Sequence, residues 1–252
     1  MQPFFIGLWV FLFGLLIGSF LNVCIYRIPQ KISVAKGFSY CPSCHHRLMP
    51  KDLFPVASYL LLRGSCRYCG APISKRYPLI ETVTGLLFVL TWLRLGFTPM
   101  GALTAVLLAV LVVITMIDLD LQIIPDGLNL FILVLALPAI FFSGRSLPEH
   151  LIGLVAVSLL LFIVAVLSNG GMGGGDIKLM GAAGLFLGWK LILLALIVGS
   201  VVGAIISLIL LAAKKAGRKT MIPFGPFLSL GIAIAALFGD DLIWWYLMLL
   251  LT

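Results

Sequence analysis

Long apolar runs separated by short polar connections dominate the chain. Runs near 4–22, 79–95, 100–117, 127–143, 150–168, 177–191, 192–212 and 223–239 each approach the ~20 residues a helix needs to cross a hydrocarbon core. They predict an all-α polytopic membrane protein with about eight transmembrane helices. Lys190 is the only interruption between the sixth and seventh runs, so their boundary is the least defined. The last stretch, 242–251, with Trp244, Trp245 and Tyr246, is too short to span alone and reads as an interfacial tail. No basic residue precedes the first run and several follow it, the pattern of a retained span and not of a cleaved signal.

The longest polar stretch, 26–78, is rich in Pro, Gly, Cys and basic residues. It is too poor in apolar residues to build a core and needs a staple. The expected division is therefore a first helix at 1–25, a loop domain at 26–78 and a transmembrane domain at 79–252. Composition agrees: 62% of the 252 residues are hydrophobic and 10% charged, against about 25% charged in a soluble domain. The net charge of +8 resembles a nucleic-acid signal until it is mapped. Nine Lys/Arg lie between Arg27 and Arg76, and Lys178, Lys214, Lys215, Arg218 and Lys219 fall on the same side. Only Arg94, Arg145 and Lys190 fall opposite. The positive-inside rule then places 26–78 in the cytoplasm and both termini outside. The lipid bilayer is the partner this charge needs; nucleic acid is not. The sequence sets no oligomeric state.

Cys41-Pro-Ser-Cys44 and Cys66-Arg-Tyr-Cys69 form C-x2-C-x21-C-x2-C. Two such knuckles complete a tetrahedral zinc site with no open position, which builds structure and does not catalyse. Disulfides are the competing use of these cysteines, disfavoured in a reducing compartment. His45 and His46 are spare ligands at best and are expected to be exposed. Cys24 reads as a small apolar filler, and Asn22 as a satisfied polar contact.

Two aspartates stand at span ends. Asp118 follows the run 106–117 in IDLDLQIIPD, and Asp176 follows the glycines of GGMGGGD. Ionisable groups at such depths are costly unless paired or wet, and so mark function. Asp120, two residues on, turns to the opposite helical face and reads as solvated. Pro125 marks a new helix, and Asp126 sits in its first turn, where a negative charge meets the positive dipole end. The glycine run reads either as a flexible loop or as a place where an extended peptide passes close to Asp176. Its spacing fits no phosphate-cradling motif. Lys178 either pairs with Asp176 or snorkels to headgroups. The parity of the spans puts Asp118 and Asp176 on one face of the membrane. Two such carboxyls can share a proton, one acting as base on water and the other as acid.

These residues resemble the type IV prepilin peptidase family. The resemblance rests on GSFLNVCIYRIP at 18–29, both CxxC pairs, RYPLIETVTG at 76–85, IDLDLQIIPD at 117–126, GMGGGDIKLM at 171–180 and PFGPFL at 223–228. It implies a bacterial inner-membrane aspartic endopeptidase with Asp118 and Asp176 as catalytic residues. Its substrates would be prepilins or type II secretion pseudopilins, cut after a glycine that ends a short basic leader on the cytoplasmic side. It also implies N-methylation of the new N-terminal residue, usually phenylalanine, from S-adenosylmethionine. Glu81, a charge beside the cysteine loop, is a candidate for holding the amine or the cofactor; a salt bridge with Arg76 or a nearby lysine is the structural alternative. The competing function is a transporter or proton relay using Asp118 and Asp176. It is disfavoured because no repeated halves are visible and both aspartates lie at span ends.

Overall fold

The computed structural model describes residues 2–168, 171–213 and 222–251. Gly170 and the cations Lys214, Lys215, Arg218 and Lys219 lie outside the described residues. The described chain is helical, with no strand beyond two isolated antiparallel bridges. It divides into two compact units, Met1–Gly101 and Ala102–Thr252.

In the first unit, α1 (Gln2–Arg27) packs antiparallel on α3 (Arg76–Leu95), with the short helix α2 (Ala57–Leu61) in the polar segment between them. Small residues set the α1–α3 distance. A Cβ on Gly14 would lie 2.7 Å from Gly85 Cα, and one on Gly18 would lie 2.6 Å from Glu81 Cα. Close backbone approach through Gly is the main source of attraction where lipid tails offer no hydrophobic contrast. Asn22 is satisfied as expected, its Nδ2 donating to the Gly18 and Tyr77 carbonyls. Cys24 is buried and free.

The second unit contains α4 (Pro99–Leu121, from its fourth residue), α5 (Asp126–Phe142), α6 (Leu147–Leu167), α7 (Gly174–Leu187), α8 (Trp189–Ala212) and α9 (Gly225–Leu251). Its centre is α7, buried at every position from Leu179 to Leu187 and packed on α5, α6, α8 and α9. A Cβ on Gly153 of α6 would collide with the Gly184 carbonyl of α7, and the reverse is equally true. The two backbones therefore touch. His150 adds a polar tie: one ring nitrogen lies 2.8 Å from the Leu185 carbonyl and the other 2.8 Å from Ser143 Oγ.

Six helices, α1, α3, α4, α6, α8 and α9, are long and apolar enough to cross a membrane. The other two runs behave differently from the eight equal spans expected. Helix α5 has 17 residues and α7 has 14; at ~1.5 Å per residue α7 reaches ~21 Å, short of a ~30 Å hydrocarbon core. The break between α7 and α8 falls at Gly188, whose φ of 83° ends the helix, and not beside Lys190. The expected interfacial tail is also corrected. Residues 242–251 continue α9 without a break, because nothing between Gly239 and Trp244 interrupts the helical pattern.

The Gly153–Gly184 contact predicts that Gly184→Leu destabilises the protein by about 1–3 kcal/mol or more, since the neighbouring atom is backbone and cannot swing aside. Gly127→Ala, where a Cβ meets nothing within 4 Å, should unfold at or above the parent temperature in detergent.

Candidate active site and metal centre

Helix α4 ends where its apolar register stops. Gln122 takes a left-handed φ of 55°, and its N–H bonds back to the Asp118 carbonyl at 2.9 Å. This turn leaves Asp118 buried in the last helical turn, while Asp120 is exposed, as its helical phase predicts. The chain then runs extended through Pro125, the N-cap of α5, and puts Asp126 in the first turn of that helix. The Asp118 carboxylate is held from across the unit: Gly225 N–H, at the start of α9, donates to its Oδ2 at 3.0 Å. A Cβ at position 225 would lie 2.6 Å from that oxygen, so only glycine admits this approach.

Asp176 occupies the first turn of α7, half-buried, directly after the glycine run. The last glycine of that run, Gly175, faces Ile124: a Cβ there would lie 2.9 Å from Ile124 Cβ. Ile124 also reaches toward Gly225, whose Cβ would lie 3.2 Å from Ile124 Cδ1. Ile124 thus links the backbone beside Asp176 to the backbone holding Asp118. Asp118 faces the N-terminus of α9 and Asp176 lies at that of α7, so each negative charge meets a positive helix end. Asn129, buried in α5, donates from Nδ2 to the Gly175 carbonyl at 3.4 Å. Lys178 does not pair with Asp176. Its Nζ lies 2.8 Å from Asp126 Oδ1, in an ion pair exposed on both sides, which contributes little to stability.

Three of these positioning residues, Ile124, Gly225 and Asn129, escaped the reading of the sequence. Gly225 carried a signal in the Gly-Pro pair that opens α9; Ile124 and Asn129 sit inside apolar patterns and carried none.

In the first unit the four cysteines converge. Their sulfurs all lie within 4.8 Å of one another, and Cys41 Sγ is 3.9 Å from Cys69 Sγ. Zinc with four ~2.3 Å bonds to sulfur needs S···S separations of ~3.8 Å, so the donor set fits. The two knuckles repeat one geometry. Cys41 accepts from His45 N–H and donates to His46 O, while Cys66 accepts from Gly70 N–H and donates to Ala71 O. Each turn closes on a left-handed residue, His45 at φ 56° and Gly70 at φ 72°. Backbone N–H groups of Cys44 and Ser43 draw the Cys41 thiol down to about 6. At Cys69 the Ala71 N–H lowers the pKa, but desolvation and the three neighbouring sulfurs override it and push the thiol up to about 12. Four thiolates at this spacing need a cation among them. His45 and His46 are exposed, and the His46 ring stacks on Tyr68 at 3.7 Å.

Asp52 braces the second knuckle, accepting from Arg67 Nε, Tyr68 OH and the Met49 N–H. Burial alone would raise its pKa, but these three donors hold it below the usual carboxylate value. Glu81 is buried in α3. Its described partners are the Val56 N–H, at 2.7 Å to Oε2, and Ser19, in place of the salt bridge expected. Val56 has a φ of 58°, a conformation rare for a β-branched residue.

Known proteins share this sequence over nearly its whole length. The Bacterial Peptidase A24 N-terminal domain matches residues 12–95, and the Type IV leader peptidase family matches residues 105–208. A prepilin leader peptidase/N-methyltransferase of Aeromonas hydrophila is 39% identical, over 94% of this chain and 92% of its own. Proteins of the same name from Pseudomonas aeruginosa PAO1 and Bacillus subtilis 168 are 37% and 33% identical, covering 98% and 94% of this chain and 95% and 96% of their own. No solved structure matches. With both family domains matched and relatives of this identity along almost the entire chain, the protein belongs to the type IV leader peptidase family.

Proposed function

We propose that the protein removes the short basic leader of type IV prepilins or type II secretion pseudopilins after a glycine, and then N-methylates the exposed N-terminal residue. The observation that carries this reading is that Ile124 packs against both Gly175, which precedes Asp176, and Gly225, whose N–H holds Asp118, in a chain of this family. One carboxylate takes a proton from water as the water oxygen attacks the scissile carbonyl. The other gives its proton to the carbonyl oxygen, forming a tetrahedral intermediate. Collapse of that intermediate breaks the C–N bond, and the leaving amine takes up a proton from the pair. The pair titrates as one coupled unit. The Gly225 N–H engages one Asp118 oxygen and fixes the carboxylate plane, so the chemistry falls to a pre-oriented group. The glycines before Asp176 leave room for an extended substrate backbone.

Cys41, Cys44, Cys66 and Cys69 hold a structural zinc ion in this reading, which cross-links the two knuckles of a 26–78 cytoplasmic domain. That domain lies between a first span at 1–25 and a 79–252 peptidase domain. S-adenosylmethionine, when bound, supplies an electrophilic methyl group. Glu81 is the candidate for holding the substrate amine or the donor through its carboxylate. The protein sits in the bacterial inner membrane, with both termini outside and the active site on the cytoplasmic side. Helices α5 and α7 complete eight crossings, the short α7 being enclosed by its neighbours.

Leader cleavage is measured on a peptide containing a basic leader, glycine and phenylalanine. Asp118→Asn and Asp176→Asn should each lower the rate by roughly 10³-fold or more; parent-like cleavage by either removes the dyad. Metal analysis should find zinc in the parent and a large loss in a Cys41→Ser, Cys66→Ser variant. With methyl-labelled S-adenosylmethionine, label should appear on the trimmed peptide, and an unlabelled product would exclude the transferase half.

A further inference from the structure

A groove of about 670 Å³ runs between α5, α6 and α7, and Ile177 and Lys178, the two residues after Asp176, stand in its wall. Leu130, Leu133, Leu154, Val155 and Ile177 give it apolar walls, and the Asp126–Lys178 ion pair stands among its lining residues. Two uncharged polar side chains line it as well. The Ser158 hydroxyl is already committed to the Leu154 carbonyl at 2.6 Å. Asn129 is only half committed. It is 5% exposed, its Nδ2 donates to Gly175, and its Oδ1 has no hydrogen-bond partner. A buried amide oxygen left unpaired is costly and calls for an explanation. Here it stands in an apolar groove, one hydrogen bond away from the residue that precedes Asp176.

The occupant must bring both apolar bulk and a hydrogen-bond donor. A phospholipid fills apolar walls but carries its donors only at the headgroup, away from the chains that would lie along them, and water donates but leaves the walls unfilled. An extended peptide with apolar side chains supplies both. Resting on the leader-peptidase reading above, one side of the scissile bond is basic and does not match the apolar walls, while the other begins at phenylalanine and does. We infer that this groove binds the apolar peptide segment that begins at that phenylalanine, with Asn129 Oδ1 accepting one of its backbone N–H groups. Asn129 is then a positioning residue. It holds the substrate strand through one atom and the Gly175–Asp176 backbone through the other, so substrate register and carboxylate are set by a single side chain. Oδ1 is closed to solvent at rest, so the N–H reaches it only as the neighbouring groove wall yields, with the Nδ2–Gly175 bond kept.

The test uses the full-length protein and a set of peptides in which each backbone N–H after the phenylalanine is replaced in turn by an ester oxygen. KM and kcat for leader loss are measured with the parent, Asn129→Leu and Asn129→Thr. In the parent, one ester position should raise KM roughly tenfold. The same ester should cost nothing further in Asn129→Leu, and Asn129→Thr, which keeps an acceptor, should retain part of the penalty. The inference is overturned if no single ester raises KM in the parent, or if the penalty is the same in both variants. A purely structural role for Asn129 would lower turnover of all the peptides alike and leave the ester pattern intact. Asp118→Asn serves as the separate control. If it still cleaves, the dyad itself falls; if it does not and the ester penalty is unchanged by Asn129 substitution, only the groove assignment falls.

Discussion

The hydrogen bond from Gly225 N–H to Asp118 Oδ2 ties the second unit to its chemistry. It brings the start of α9 against the end of α4, and it exists only because residue 225 has no Cβ. A carboxylate buried at a span end would otherwise face apolar side chains and lack any partner. The same approach brings Ile124 against Gly225 and, on its other side, against Gly175. Asp176 follows Gly175 into the first turn of α7. The starts of α7 and α9 therefore both meet one isoleucine in the link between α4 and α5.

The helices around this point are arranged to allow it. Helix α7 is too short to span comfortably and is buried from Leu179 to Leu187, while its first turn, which carries Asp176, is not. Glycine contacts, Gly153 against Gly184 and Gly231 against Ala195, draw α6 onto α7 and α9 onto α8 until backbones touch. In lipid this close packing takes over the part that hydrophobic burial plays in water.

Much of this was legible in the residues. Alternating apolar runs and basic loops gave helices and their ends to within a few residues, because bilayer thickness and charge bias constrain both. The four cysteines announced their cluster by spacing alone. Asp118 and Asp176 stood out because apolar neighbours leave a charge without a bland explanation, and helical phase removed Asp120. What stayed hidden depends on tertiary distance. Lys178 turned to Asp126, a partner 52 residues away. Glu81 took the Val56 amide, 25 residues away. The continuity of α9 through its aromatic end was missed because a 10-residue remainder looked too short when separated from the helix before it. Asn129 lies inside an apolar helix and Ile124 in the apolar link before it, where nothing marks a residue that matters to its neighbours.

The central claim is that Asp118 and Asp176 act as one site sharing a proton. Its most direct measurement is a double-mutant comparison of leader cleavage among the parent, Asp118→Asn, Asp176→Asn and the two combined, each verified as folded by thermal unfolding. Residues acting as a unit are strongly non-additive, so the combined variant should cleave no more slowly than the slower single variant, within about threefold. Losses that multiply, the combined variant falling by the product of the two single effects, would show two independent contributions and contradict the account.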